Sequence, residues 1–206
     1  MVESQERNQM CLKKNIKQRI AFAREHLNKD QKFWNTVLWS DECKFNVFGN
    51  DGRAYVRRPP GKELDPKYTK KTVKHGGSSV MVWGCFASCG VGPIVEINGN
   101  MTGEIYKDIL KENLKNDFID NLPLLWTFQQ DNDPKHCSKV VKTWMAKNKI
   151  RVMKWPAQSP DFNPIENLLA ISKRSVAAIK PKNKTDLSRL IKDEWRKVTP
   201  QQCSTL

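Results

Sequence analysis

The sequence has no long hydrophobic run, and this absence excludes a large class of proteins. No stretch approaches the roughly 18 apolar residues that a membrane-spanning helix needs. The first residues, MVESQERNQMCLKKNIKQR, also contain no apolar segment of the kind found in secretory signals. The sequence therefore predicts neither a membrane-spanning nor a secreted protein, and no membrane is expected among its partners.

Closely spaced cysteine pairs are missing as well. The six cysteines, at positions 11, 43, 85, 89, 137 and 203, include no CxxC pair. A structural zinc site usually takes its ligands in such pairs. Cys85 and Cys89 are four residues apart, but no second pair matches them. We therefore expect free thiols in a reducing compartment.

Acidic residues are scarce relative to basic ones. The 206 residues include 36 Lys and Arg but only 22 Asp and Glu, so the formal net charge is +14. Such an excess attracts polyanions, of which nucleic acid is the commonest and an anionic membrane surface the next. A solvated basic surface explains the charge about equally well. Hydrophobic residues make up 38% of the chain, with seven Trp and eight Phe, so a packed core is expected.

Residues 1–34 are predicted to form a basic linker and a lead-in helix, and residues 35–206 a single domain. Over 37–47 apolar and polar positions alternate, which is typical of a strand. Asp41 occupies a position in the apolar row. Because burying an unpaired carboxylate is costly, Asp41 is the first candidate functional residue. An exposed edge strand is the alternative.

The remaining patterns predict an α/β domain. Further strands are predicted over 53–58, 78–86, 94–97, 124–130 and 150–155, and helices over 102–118, 138–147, 163–179 and 185–197. Three or four meander strands followed by alternating helices and strands (β-β-β-α-β-α-β-α) are the layout of a ribonuclease H-like fold, a mixed central sheet flanked by helices. In this layout Asp41, Asp131 and Glu166 come from separate elements and meet.

Three converging carboxylates suit one kind of chemistry. A phosphodiester is cleaved efficiently when two divalent ions stabilise the attacking and the leaving oxygen. Mg²⁺ prefers oxygen ligands, so carboxylates serve better than His or Cys. Each of the three residues also has a structural alternative, which for Asp41 is the exposed edge strand. Asp131 lies in a turn-forming cluster. Glu166 completes a capping box with Asn163 and Pro164 that would occupy its carboxylate, and the local sequence alone favours this cap.

Four stretches resemble the mariner superfamily of DNA transposases, specifically its Tc-like branch. They are LWSDECKF (38–45), GGSSVMVWGCFASCGVGP (76–93), QQDNDPKH (129–136) and WPAQSPDFNPIEN (155–167). That superfamily carries two Asp and a Glu with thirty-four residues between the last two, as do Asp131 and Glu166 here. The resemblance implies that Asp41, Asp131 and Glu166 bind two Mg²⁺ ions, which Mn²⁺ can replace, and catalyse DNA cleavage and strand transfer.

The resemblance also implies partners and a location. The partner would be double-stranded DNA, both as transposon ends and as a TA target, bound by a homodimer in the nucleus. Lys135 and His136, just past Asp131, are candidate DNA contacts. Lys173 and Arg174 are further candidates, and for all four a solvated surface is the alternative.

The resemblance is incomplete at both ends. Relatives begin with two helix-turn-helix modules, and residues 1–34 correspond only to the end of the following linker, so most of that recognition region is expected to be missing. The helix after Glu166 reads NLLAISKRSV, where relatives usually have Trp near Leu169. Two alternatives therefore stay open. One is an inactive, domesticated or decayed fragment that only binds DNA or a partner, and the other is a different two-metal nuclease of the same fold.

Overall fold

A computed structural model describes residues 15–48, 78–114 and 117–206. The elements in chain order are α1 (15–26), α2 (Gln31–Trp34), β1 (Val37–Asn46), β2 (Ser79–Ala87), β3 (Gly90–Ile97), α3 (Gly103–Asn113), α4 (Asp117–Asp120), β4 (Thr127–Phe128), α5 (Lys139–Lys147), α6 (Ile165–Ile179), α7 (Lys184–Arg196) and α8 (Pro200–Ser204). The predicted α/β class is confirmed. The strand predicted over 53–58 lies outside the described residues.

The strands form one mixed sheet in the order β3-β2-β1-β4. β1 and β2 are antiparallel, with Asp41 opposite Gly84, and β3 continues the meander. β4 runs parallel to β1, pairing Val37 with Thr127 and Leu38 with Phe128. This arrangement places β1, which carries Asp41, between an antiparallel and a parallel neighbour.

The two strands predicted after the meander are shorter than the pattern suggested. β4 has two residues instead of seven, and the strand predicted over 150–155 is reduced to a single parallel bridge between Phe128 and Val152. Beyond β4 the backbone N–H of Ser40 donates to a side-chain oxygen, Gln129 Oε1, at 3.2 Å. The Ser40 hydroxyl in turn donates to the Gln129 carbonyl at 2.8 Å. Side chains therefore continue the ladder where the sequence pattern predicted backbone pairs.

The sheet separates two hydrophobic layers. Successive side chains of a strand point to opposite faces, and β1 divides in this way. Val37, Trp39, Cys43 and Phe45 pack in the layer formed with α6 and α7. Leu38 packs in the other layer, with residues of α3 and α5. By this alternation Asp41 belongs to the row that faces α6.

The helices follow the predicted order with different ends. The helix predicted over 102–118 ends at Asn113, and a separate short turn, α4, follows. α3 packs closely on the start of α5, since a Cβ on Gly103 would lie 2.4 Å from the Ser138 hydroxyl oxygen. The short helices α2 and α8 were not predicted. Within the described ranges, no helix has the length and apolar character needed to cross a bilayer.

α1 packs against the loop that leads into α6. Arg19 pairs with the carboxylate of Asp161 through both of its terminal nitrogens, and its guanidinium lies 4.6 Å from the centre of the Phe162 ring. Phe22 contacts both Phe162 and Trp155. The lead-in helix is confirmed, whereas a domain boundary at residue 34 stays a prediction.

Candidate active site

Asp41 lies half-buried on β1, with both carboxylate oxygens hydrogen-bonded. Oδ1 accepts the backbone N–H of Glu42 at 2.7 Å, and Oδ2 accepts the Asn163 amide at 3.2 Å. Burial, and next the negative charge of Glu166, raise the pKa of Asp41 to about 7. The position is therefore unfavourable for an anion unless a cation is close by.

Asp131 follows β4, and the parallel register explains its place. Both β1–β4 pairs join residues that are 90 positions apart, 37 with 127 and 38 with 128. Asp41 and Asp131 have the same offset, so both residues lie toward the same end of these neighbouring strands. Burial opposes ionisation, yet hydrogen bonds from His136 and the Asp133 backbone keep the pKa of Asp131 below its usual value.

Glu166 lies in the first turn of α6, and the capping box predicted around it does not form. The helix begins at Ile165, after Pro164, and no side chain caps it. Asn163 is instead buried, and its amide nitrogen donates to the Ser40 carbonyl at 3.3 Å and to Asp41. The reverse orientation would set the amide oxygen against two oxygens, so the NH₂ group must face Asp41. The Glu166 carboxylate is thus left exposed and is not used as a cap.

The three carboxylates open onto one cleft of about 340 Å³. Asp41, Asp131 and Glu166 line it, together with residues 132–133 and the segment 155–160. Among the described residues, no three His, Cys, Asp or Glu side chains stand close enough to form a ready-made metal site. The donor atoms of the three carboxylates are all oxygens. The charged form of Asp41 is disfavoured by burial and by the negative charge of Glu166. Both features fit a hard divalent cation, which would offset that repulsion.

Comparison with known proteins assigns the chain to a family. The sequence profile described as DDE superfamily endonuclease matches residues 36–188. The chain belongs to this family. It is 40% identical over 193 residues to the transposable element Tcb1 transposase of Caenorhabditis briggsae, covering 94% of this chain and 71% of the relative. It is 41% identical over 186 residues to the Tc1 transposase of Caenorhabditis elegans, covering 90% and 68%.

The fold agrees with that of a solved transposase. A pre-cleavage Mos1 transpososome superposes with a TM-score of 0.71 at 16% identity, covering 90% of this chain and 55% of that chain. The ribonuclease H-like prediction is thereby confirmed. The profile match and the two Tc relatives identify this protein as a Tc/mariner-type DDE catalytic domain. The chain spans little more than half the length of the Mos1 protein. The family match also excludes the alternative of a different two-metal nuclease of the same fold, such as a ribonuclease or a junction resolvase.

The structure shows the surroundings of the four predicted DNA contacts of this DDE domain. The Lys135 ammonium lies 2.6 Å from Asp133 Oδ2, so a carboxylate offsets its charge. Arg174 is exposed on α6. Lys173 is half-buried, and its ammonium lies 6.0 Å from the centre of the Phe45 ring. DNA contacts by these three residues stay predictions.

His136 differs from its predicted role as a surface contact. Its side chain is only 3% exposed, so it is buried rather than on the surface, and its contact with DNA stays a prediction. Nδ1 lies 2.6 Å from Asp131 Oδ1, and Nε2 lies 3.0 Å from Glu42 Oε1. Although burial opposes it, these two carboxylates raise the pKa of His136 to about 9. The ring is engaged on both sides within the DDE domain.

Sequence reasoning missed two side chains that touch the three candidate carboxylates or their partners. Glu42 follows Asp41 on β1 and lies in the same row as Ser40 and Lys44. A row of such polar residues suggests a strand face that is exposed to solvent. Asn163 was expected to cap α6. The polar pattern around Glu42 offers no separate signal, since only the approach of His136 from a distant loop explains a carboxylate there.

The described cysteines carry free thiols. They are Cys43, Cys85, Cys89, Cys137 and Cys203, whereas Cys11 lies outside the described residues. Cys43 is buried beside the site, two residues after Asp41, and burial raises the pKa of its thiol to about 11 although Lys173 opposes the rise. A thiol with this pKa is protonated at neutral pH and is a poor nucleophile.

Proposed function

We propose that this chain cleaves and joins DNA phosphodiester bonds with Asp41, Asp131 and Glu166 as the metal-binding residues. The observation that carries the proposal is the cleft itself. The strand β1, the segment after β4 and the first turn of α6 each contribute one carboxylate to it. The loss of the predicted capping box supports the proposal further, because Glu166 is left available.

The residues fit Mg²⁺ or Mn²⁺. The catalytic domain of the Mos1 transposase, at 14% identity, has been solved with Mg and with Mn, and the oxygen donors here suit the same hard ions. We propose that two ions bind, held by Asp41, Asp131 and Glu166. When bound, such ions stabilise negative charge on the attacking and leaving oxygens. The chain's own contribution is to keep three anionic ligands in place beside a DNA strand.

The proposed reaction has two steps at phosphorus. In the first, a water oxygen bonds to phosphorus, the P–O3′ bond breaks, and the products are a 3′-hydroxyl and a 5′-phosphate. In the second, that 3′-hydroxyl oxygen bonds to a phosphorus of the target strand and displaces another O3′. Each step transfers one phosphoryl group, so no oxidant or energy-rich co-reactant is needed.

Two observations support DNA as the partner: the positive charge of the chain and the DNA complexes of a structural neighbour. The formal charge of +14 suits a polyanion, and the Mos1 transposase has been solved as a paired-end complex with a left transposon end. We propose transposon ends and a TA dinucleotide target as substrates, a homodimer on DNA as the active assembly, and the nucleus as the site of action. Because this chain spans only part of such proteins, end recognition is proposed to require further residues.

The test is metal-dependent nicking and strand transfer on a short DNA duplex. The parent chain is compared with Asp131→Ala and with the matched control Asp193→Ala, which removes a carboxylate from α7, outside the cleft. We expect activity with Mg²⁺ or Mn²⁺ in the parent and the control, and none in Asp131→Ala. An RNA–DNA hybrid serves as a second substrate and should be cut poorly.

Two results would contradict the proposal. Equal activity in the parent and Asp131→Ala would mean that the cleft is not the catalytic site. A complete lack of activity, with unchanged DNA affinity in all three proteins, would favour a domain that binds DNA without cutting it.

A further inference from the structure

His136 lies at the centre of a buried polar link between β1 and the loop after β4. Its Nδ1 is 2.6 Å from Asp131 Oδ1, and its Nε2 is 3.0 Å from Glu42 Oε1. Ionised carboxylates only accept hydrogen bonds, so both contacts are satisfied when both ring nitrogens carry hydrogen. The imidazole therefore donates to a catalytic carboxylate on one side and to a non-catalytic one on the other.

The packing around the ring leaves it little freedom. The Tyr106 ring lies against it, with ring centres 4.0 Å apart and an angle of 32° between the planes. The Tyr106 hydroxyl donates to Gln130 Oε1 at 2.9 Å, which anchors that ring to the chain just before Asp131. Tyr106 is fully buried and His136 is 3% exposed. The position of His136 is thus set by packing as well as by its hydrogen bonds.

The two carboxylate oxygens of Asp131 differ in their hydrogen bonds. Oδ1 accepts both His136 Nδ1 and the backbone N–H of Asp133, the latter at 3.0 Å. Two donors on one oxygen define the plane and the rotation of the carboxylate. Oδ2 is then the oxygen available to a ligand in the cleft.

Glu42 is held from its other side. Its Oε2 lies 3.8 Å from the Lys135 ammonium, while Oε1 faces the His136 ring. The Glu42 side chain is 15% exposed. Glu42 therefore holds the far side of the ring without lining the cleft itself.

We propose that His136, oriented by Glu42, is a positioning residue that holds Asp131 with Oδ2 directed toward the metal ion. This inference rests on the proposed metal-dependent function. Partners that hydrogen-bond a metal-binding carboxylate orient it, and their loss typically weakens metal binding by about 10- to 100-fold. His136 acts only through Asp131, and Glu42 only through His136.

The test measures Mn²⁺ affinity directly, by electron paramagnetic resonance of the free ion, in three variants of His136. His136→Ala removes both donors. In His136→Asn the amide nitrogen takes the place of Nδ1 and can still reach Asp131, whereas in His136→Gln it takes the place of Nε2 and reaches only Glu42. We expect Mn²⁺ affinity to fall about 10- to 100-fold in the Ala and Gln variants and to recover to within about threefold in the Asn variant.

The kinetic signature is specific for positioning. The Mn²⁺ concentration that half-saturates nicking should rise in parallel with the dissociation constant, while the rate at saturating Mn²⁺ changes less than about threefold. Glu42→Gln keeps an acceptor oxygen for the ring and should weaken Mn²⁺ binding less than Glu42→Ala does. Thermal unfolding of every variant, without metal, identifies any that fail to fold. If His136→Ala is among these, the Asn and Gln pair decides.

The outcomes separate this inference from the proposed function. If the parent binds Mn²⁺, Asp131→Ala does not, and the His136 variants match the parent within about twofold, the positioning role is refuted and the active site stands. Rescue by Gln equal to that by Asn would refute it too. If the parent itself binds no Mn²⁺, both proposals are overturned.

Discussion

Replacing Asp41 with Asn is expected to stabilise the metal-free protein above neutral pH. Asp41 is half-buried on β1 and experiences the negative charge of Glu166. Burial first, and that charge second, raise its pKa from an ordinary value of 3.8 to about 7. Without a cation, the folded state must therefore hold an anion where its charge is disfavoured, and a neutral side chain of the same shape removes this penalty.

The sign and size follow from the two pKa values of Asp41. Below pH 3.8 the carboxyl is protonated in both states, so its charge has no effect. Between 3.8 and about 7 the unfolded chain releases the proton first, so stability falls as the pH rises; above 7 the penalty is constant. The gap corresponds to about 4 kcal/mol at most. Asn can keep only one of the two hydrogen bonds that Asp41 accepts, which costs about 1 kcal/mol. Allowing for relaxation around the site, we expect a net gain of about 1–3 kcal/mol near pH 8 and none near pH 4.

The assay is urea unfolding followed by tryptophan fluorescence, in EDTA, across this pH range. Asp193→Asn on α7 is the matched control, since that carboxylate pairs with Arg189 away from the cleft. Added Mn²⁺ should then stabilise the parent more than Asp41→Asn. The reasoning is refuted if Asp41→Asn is less stable than the parent near pH 8 without metal, or if its advantage persists unchanged near pH 4.

Three further predictions concern DNA binding and packing. If about six Lys or Arg contact phosphates, the logarithm of the DNA association constant should fall with the logarithm of salt concentration with a slope near −5; a salt-insensitive titration would contradict this. Arg19→Ala should destabilise the chain by about 1 kcal/mol and speed amide exchange in α1, because it removes the pairing with Asp161; unchanged exchange would mean that α1 is held by its aromatic contacts alone. Gly92→Ala should cost about 1–3 kcal/mol in urea unfolding, because its Cβ would lie 2.6 Å from the Cys85 sulfur. In the control Gly84→Ala the nearest atoms are at 3.7 Å, so a smaller effect is expected.

The two Asp residues proposed to bind the metal are each held by a different side chain. Asn163, at the entrance to α6, donates to Asp41, and His136, before α5, donates to Asp131. These donors come from two separate loops, one before α5 and one before α6. A substitution in either loop is therefore expected to act on metal binding without touching a metal ligand.

Sequence patterns predicted the elements with regular periodicity and failed where side chains replace the backbone. The alternation over β1 and the apolar stripe of α6 correspond to the observed strand and helix. The segments predicted as strands over 124–130 and 150–155 are largely irregular in the structure. The prediction failed there because apolar composition does not reveal that the Gln129 side chain accepts the Ser40 N–H. The capping box at Glu166 was the locally favoured interpretation, and it was wrong because the buried Asn163 bonds to Asp41 instead.

The sequence by itself determined which residues are candidates for the chemistry and in what order they occur. A carboxylate in an apolar row at Asp41, and the spacing of Asp131 and Glu166, are properties of the chain that no folding alters. Only the tertiary structure decided how these carboxylates are oriented and which buried side chains orient them. His136 is 94 positions from Glu42, and Asn163 is 122 positions from Asp41. Such pairings have no periodicity in sequence, because they depend on how the sheet brings separate loops to one edge.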